Sequence, residues 1–127
     1  AVGSNGMVTT QHYLATKVGE DILNQGGNAY DAAIAISFSL AVVLPRAGNI
    51  GGGGFMVIYD SESRDSFAID YRERAPLLST KDMYLDENGN VIPSQSTMGY
   101  LSSGVPGTGL FIRNLDLWNG INLFALQ

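Results

Sequence analysis

A layered α+β fold is the class this sequence predicts, and three observations carry it. Two helical periodicities come first, over about residues 12–25 and 29–44. Two strand-length runs separated by a polar turn follow, over 55–59 and 65–71. Between them there is none of the strand–helix–strand alternation that builds a parallel sheet. The 127 residues fit one domain.

The first helix is predicted over His12–Gln25. Leu14, Val18 and Ile22 recur at every fourth position, with Ala15 and Leu23 beside them, while Lys17, Glu20, Asp21 and Asn24 take the wet side. Gly26-Gly27 then stops it, because glycine enters the left-handed region without a Cβ clash. Asn28 is placed to cap a second helix over Ala29–Leu44, with Asp31 three residues on completing a capping box and facing the positive end of the dipole. Alanines at 29, 32, 33, 35 and 41 lie on nearly every face of that helix, so it is expected to be covered all round. Its apolar run, Ala32–Leu44, is 13 residues long with Ser37 and Ser39 inside it. A membrane span needs about 20, so the run reads as a buried helix. Pro45 ends it.

A loop, Pro45 to Gly54, carries four consecutive glycines and leads into the strand Phe55–Tyr59. Asp60–Arg64 reads as a polar turn and Asp65–Tyr71 as the returning strand. Farther on, Ser79 or Thr80 is placed to cap a short helix over Lys81–Leu85, Asp86–Asn90 is a turn, and Thr108 is placed to cap a helix across Leu110–Trp118.

Composition excludes several classes. The apolar share of 45% and the 16 glycines describe a globular chain rather than a disordered one. Twelve acids against seven Lys+Arg give a net charge of −5, scattered and without the basic stripe that a phosphate backbone requires, so no nucleic-acid partner is expected. With no cysteine there is no disulfide, thiol nucleophile or usual structural zinc site. No His/Asp/Glu spacing suggests another metal, and neither metal nor cofactor is expected. The chain opens at Ala1 without an initiator Met or a basic-then-apolar leader, so it is expected to be a processed chain or a piece of a longer one.

Three features invite a chemical reading. The glycine run lacks the Lys-Ser/Thr of a phosphate loop, having Phe55-Met56 there, and it precedes a strand rather than a helix; a scaffold role is the expectation. The sole histidine, His12, stands at a helix start, where capping or surface exposure is expected rather than catalysis. The charged stretch Asp70-Tyr71-Arg72-Glu73-Arg74 has two readings. If extended, Asp70, Arg72 and Arg74 share one face and form a surface ladder worth well under ~1 kcal/mol per pair. Alternatively, one arginine is aimed at a ligand carboxylate, which a planar guanidinium holds with two parallel hydrogen bonds.

Several pieces of the chain, in order, resemble the N-terminal part of the γ-glutamyltranspeptidase family. Gly6-Met7-Val8 is followed by Ile22-Leu23, Gly26-Gly27-Asn28-Ala29 and Asp31-Ala32-Ala33. Pro45 and Gly48-Asn49-Ile50-Gly51-Gly52-Gly53-Gly54-Phe55-Met56 come next, then Ile69-Asp70-Tyr71-Arg72-Glu73 with Ala75-Pro76. Asp82-Met83-Tyr84 and Gly104-Val105-Pro106-Gly107-Thr108 close the series. The resemblance runs from about Asn5 to Thr108 and thins where Gly109-Leu110-Phe111 stands.

That resemblance implies an N-terminal-nucleophile hydrolase fold, an αββα sandwich, with residues 1–127 as the N-terminal portion of a single large-subunit domain. It implies an enzyme that cuts itself from an inactive precursor, whose newly exposed threonine attacks the γ-amide of glutathione with its own amine as base. The γ-glutamyl ester then passes to water or to an amino acid or peptide. No catalytic residue is expected in this chain. One substrate residue carries over: Arg72, in the motif position that pairs with the donor's α-carboxylate. The implied partners are γ-glutamyl substrates, the remainder of the large subunit and the small subunit bearing the threonine; the implied location is periplasmic or extracellular. A related amidase (a cephalosporin acylase or a polyglutamate-capsule depolymerase) and a truncated, non-enzymatic remnant remain the alternative readings.

Overall fold

The computed structural model describes residues 3, 5–47 and 49–119, with side chains described as far as residue 113. Helix α1, Tyr13–Asn24, and helix α2, Ala29–Val43, form a helical hairpin. Strands β1, Phe55–Tyr59, and β2, Ser66–Asp70, pair antiparallel, and helix α3, Thr108–Asn119, follows a single 3-10 turn at Tyr100–Ser102.

Local chemistry accounts for the helix ends. His12 is the N-cap of α1, its Nδ1 accepting from the Leu14 amide at 3.3 Å. At the other end Gly26 takes φ +91, and the amides of Gly26 and Gly27 donate back to Leu23 O and Ile22 O, a Schellman closure. The Asn28/Asp31 capping box forms in both directions: Asn28 Oδ1 accepts from the Asp31 amide at 3.1 Å, and Asp31 Oδ2 accepts from the Asn28 amide at 2.8 Å.

The hairpin register sets Phe55 opposite Asp70 and Tyr59 opposite Ser66. Period-two alternation sends Met56, Ile58 and Ile69 inward, where they join Tyr30 and Tyr71 around a core of Ile34, Phe111 and Ile112. The core therefore draws on α2, α3 and one face of the hairpin. The other face of β1 stays open, with Phe55, Val57 and Tyr59 at 65, 80 and 67% exposure. Phe38 and Val42 of α2 are also exposed, so the complete cover expected for that helix does not come from these residues.

Three local expectations are corrected. Lys81–Leu85 is not a helix: Leu85 bonds back to Asp82 O, the Ile92 amide takes Tyr84 O, and Leu85 pairs with Val91 in an isolated bridge. Five residues do not repay helix nucleation, and the Asp86 turn, whose carboxylate accepts from Asn88 and Asn90, competes for the same backbone. Thr108 is the first residue of α3 rather than its cap; its hydroxyl donates to Asn49 O at 3.2 Å, and Gly107 O accepts the Phe111 amide. The returning strand stops at Asp70, one residue short of Tyr71.

Candidate substrate-carboxylate site

Arg72 stands just beyond the end of β2. There Asp70 Oδ1 accepts the Arg72 amide at 3.0 Å, a local turn that takes the arginine out of the strand. Among the described residues no ion pair within 4 Å joins Asp70, Arg72, Glu73 and Arg74; the salt bridge that forms is Lys17–Asp21 on α1. The Arg72 side chain is exposed and meets no partner among the described residues. A guanidinium in that state keeps all five donors available to a ligand.

Its backbone is held from several directions. The Tyr71 amide donates to Gly54 O at 3.0 Å, and Arg74 and Val105 exchange both amide–carbonyl bonds, at 3.1 and 2.8 Å. Gly107 and Thr108 both donate to Gly52 O, at 3.0 and 3.1 Å, which ties the Val105-Pro106-Gly107 loop to the glycine run. The Tyr71 ring stacks on buried Phe111 at 4.1 Å between centroids and 18° between planes. Burial raises the Tyr71 phenol above its ordinary value, favouring the neutral form. Three sequence segments far apart in the chain, 51–54, 70–74 and 104–108, thus converge around one residue.

His12 takes no part in this site. Its ring caps α1 and stacks on Tyr13 at 5.2 Å, the structural role expected of it. The glycine run, read from sequence as scaffold, and the Val105-Pro106-Gly107 loop together frame the Arg72 backbone. Their glycines are visible in the sequence, but nothing there says which backbone they meet.

The backbone these elements build superposes on known γ-glutamyltranspeptidases. The crystal structure of Helicobacter pylori γ-glutamyltranspeptidase superposes with a TM-score of 0.87 at 48% identity, covering 93% of this chain and 34% of that one. The Bacillus anthracis transpeptidase CapD superposes with a TM-score of 0.65 at 31% identity, over 90% of this chain. The family model described as Gamma-glutamyltranspeptidase matches residues 15–112. A glutathione hydrolase proenzyme of Pseudomonas sp. (strain A14) is 59% identical over 104 residues, 82% of this chain and 18% of its own length. One from Bacillus subtilis (strain 168) is 54% identical over 119 residues, 92% of this chain and 20% of its own. The chain belongs to the γ-glutamyltranspeptidase family. It spans about a fifth of the length of the curated relatives it matches. The 119-residue match also carries the similarity past Thr108, where the sequence motifs thin.

Proposed function

We propose that this chain is the front portion of the large subunit of an enzyme that cleaves the γ-glutamyl amide of glutathione and related compounds. In this reading residues 1–127 form one part of an αββα sandwich completed by the rest of the large subunit and by a small subunit. A threonine of that small subunit, outside this chain, attacks the γ-carbonyl; the amine leaves, and the γ-glutamyl ester is resolved by water or by an acceptor amine. Arg72 holds the donor's α-carboxylate. A γ-glutamyl donor carries that carboxylate at one end and the scissile amide at the other, so anchoring the first places the second. A periplasmic or extracellular location accompanies the same reading.

The observation that carries the proposal is the exposed, unpaired Arg72 fork on a backbone pinned by two other segments, within Tyr71-Arg72-Glu73. The greater similarity to the Helicobacter γ-glutamyltranspeptidase than to CapD supports the γ-glutamyltranspeptidase reading over a CapD-like one. Substitution in the full-length protein tests it. A charge-assisted bidentate pair contributes roughly 1.5–3 kcal/mol net, and each 1.4 kcal/mol is tenfold. Arg72→Ala is expected to lower kcat/KM for γ-glutamyl donors about ten- to a hundredfold, mostly through KM. Arg72→Lys keeps the charge but not the planar fork and remains impaired. Arg74→Ala, whose backbone is bridged to Val105, is the control and does much less. Precursor self-cleavage persists in all three. Unchanged kinetics in Arg72→Ala, or a larger loss in Arg74→Ala, overturns the assignment.

A further inference from the structure

Two glycines from different loops press against the peptide that joins Tyr71 to Arg72. A Cβ built on Gly107 would stand 1.6 Å from the Tyr71 carbonyl oxygen, 2.5 Å from its carbon and 3.0 Å from Arg72 O. On Gly53 it would stand 2.5 Å from that same Tyr71 oxygen, 2.8 Å from Glu73 N and 2.9 Å from Arg72 Cα. These are backbone atoms, and packed backbone does not swing aside as the end of a flexible side chain does. The two loops are joined to each other through Gly52 O, and the Arg74–Val105 bridge ties the second to the Arg72 segment. Gly104 lies along the next step of the segment, where its Cβ would meet Glu73 Cβ at 3.2 Å.

We infer that Gly53 and Gly107 are positioning residues for substrate recognition: their missing side chains let two loops close on the Tyr71–Arg72 peptide and fix the root from which the Arg72 fork reaches a donor carboxylate. The inference rests on the carboxylate-anchoring reading of Arg72. An arginine side chain is long and rotamer-rich, so its aim depends on how firmly its Cα is placed. A methyl at Gly107 or Gly53 pushes that backbone aside or forces the loops apart. A misplacement of about 1 Å at an anchoring group costs on the order of a hundredfold in rate.

The experiment uses the full-length, self-processed protein and two donors: a γ-glutamyl anilide and the same anilide lacking the α-carboxylate. The readout is the ratio of their kcat/KM values. Gly53→Ala and Gly107→Ala are expected to lower the ratio about ten- to a hundredfold by raising KM for the carboxylate-bearing donor, with the carboxylate-free donor turned over as before. Gly19→Ala, whose Cβ meets Ile36 Cδ1 at 2.6 Å between α1 and α2, perturbs packing but leaves the ratio alone. Gly53→Ala added to Arg72→Ala is expected to change the ratio no further, the non-additivity of two residues acting through one contact. A processed Gly53→Ala or Gly107→Ala enzyme with the parent ratio overturns the inference. If neither matures, Gly104→Ala decides, with a few-fold fall expected and an unchanged ratio overturning it. A ratio unaffected by Arg72→Ala instead removes the underlying carboxylate reading. A ratio that collapses in Arg72→Ala but not in the glycine variants removes the clamp alone.

Discussion

Tyr71 does two jobs with one side chain. Its ring lies on Phe111, fastening the Arg72 segment to α3, and its partly buried phenol has a pKa above the ordinary value near 10. The fold favours the protonated, neutral form. That contribution is fully present below the unfolded-state pKa and is lost as pH rises through the raised folded one. Full-length Tyr71→Phe keeps the stack and removes the titrating group. Its melting temperature is therefore expected to fall less than the parent's between about pH 9 and pH 11. Equal alkaline losses in the two proteins would show that Tyr71 does not titrate against the fold. Arg72 itself was legible as a candidate because few residue types offer a planar fork. That no ion pair joins it to Asp70 among the described residues was not, because the Asp70 side chain turns back to the Arg72 amide instead.

The elements that were read correctly are those whose ends are written locally. Helix α2 begins at a reciprocal Asn28/Asp31 pair, and replacing Asn28 with Ala removes the acceptor for two amides, those of Tyr30 and Asp31. Loss of such a cap costs about 1 kcal/mol, so thermal melts of full-length Asn28→Ala are expected to shift down by about a degree, with Asn28→Gly shifting less. No difference between Asn28→Ala and the parent would mean the helix start is held by its packing alone. Two turns follow the same local logic. Asp60 accepts from Ser63 and Glu62, and Asp86 from Asn90 and Asn88, and these bonds hold both carboxyls below their ordinary range. Their contribution is present above the unfolded-state pKa and is lost as pH falls through the lowered folded one. Hydrogen exchange at the Glu62, Ser63, Asn88 and Asn90 amides is thus expected to lose protection, after correction for intrinsic rates, as the medium is acidified. Protection independent of pH would assign those turns to the backbone. The misread elements were settled by partners outside their own segments: the Asp86 turn and Ile92 for Lys81–Leu85, and Asn49, far off in sequence, for Thr108.

At the scale of the molecule, apolar surface outruns the core these residues build. Leu77 and Leu78 are fully exposed, Val42 is 78% exposed, and the outer face of β1 has nothing upon it among the described residues. Exposed apolar area of this extent marks a surface that other chain covers. The isolated 127-residue chain is expected to be partly unfolded or aggregating and to turn over no γ-glutamyl anilide. A sharp, cooperative melt of the monomeric fragment would contradict the first expectation, and measurable turnover the second.

Sequence alone determined the two helices, the hairpin, the lack of cysteine, His12 at a helix start, and Arg72 as the residue to test. Each depends on neighbours within a few positions or on residue type, and such information survives without a fold. Tertiary structure decided that residues 51–54 and 104–108 meet at the Tyr71–Arg72 peptide, and that only glycine fits there. The reason is physical. A glycine's tolerance for close approach is written in the sequence, whereas the atoms that approach it come from segments brought near by packing.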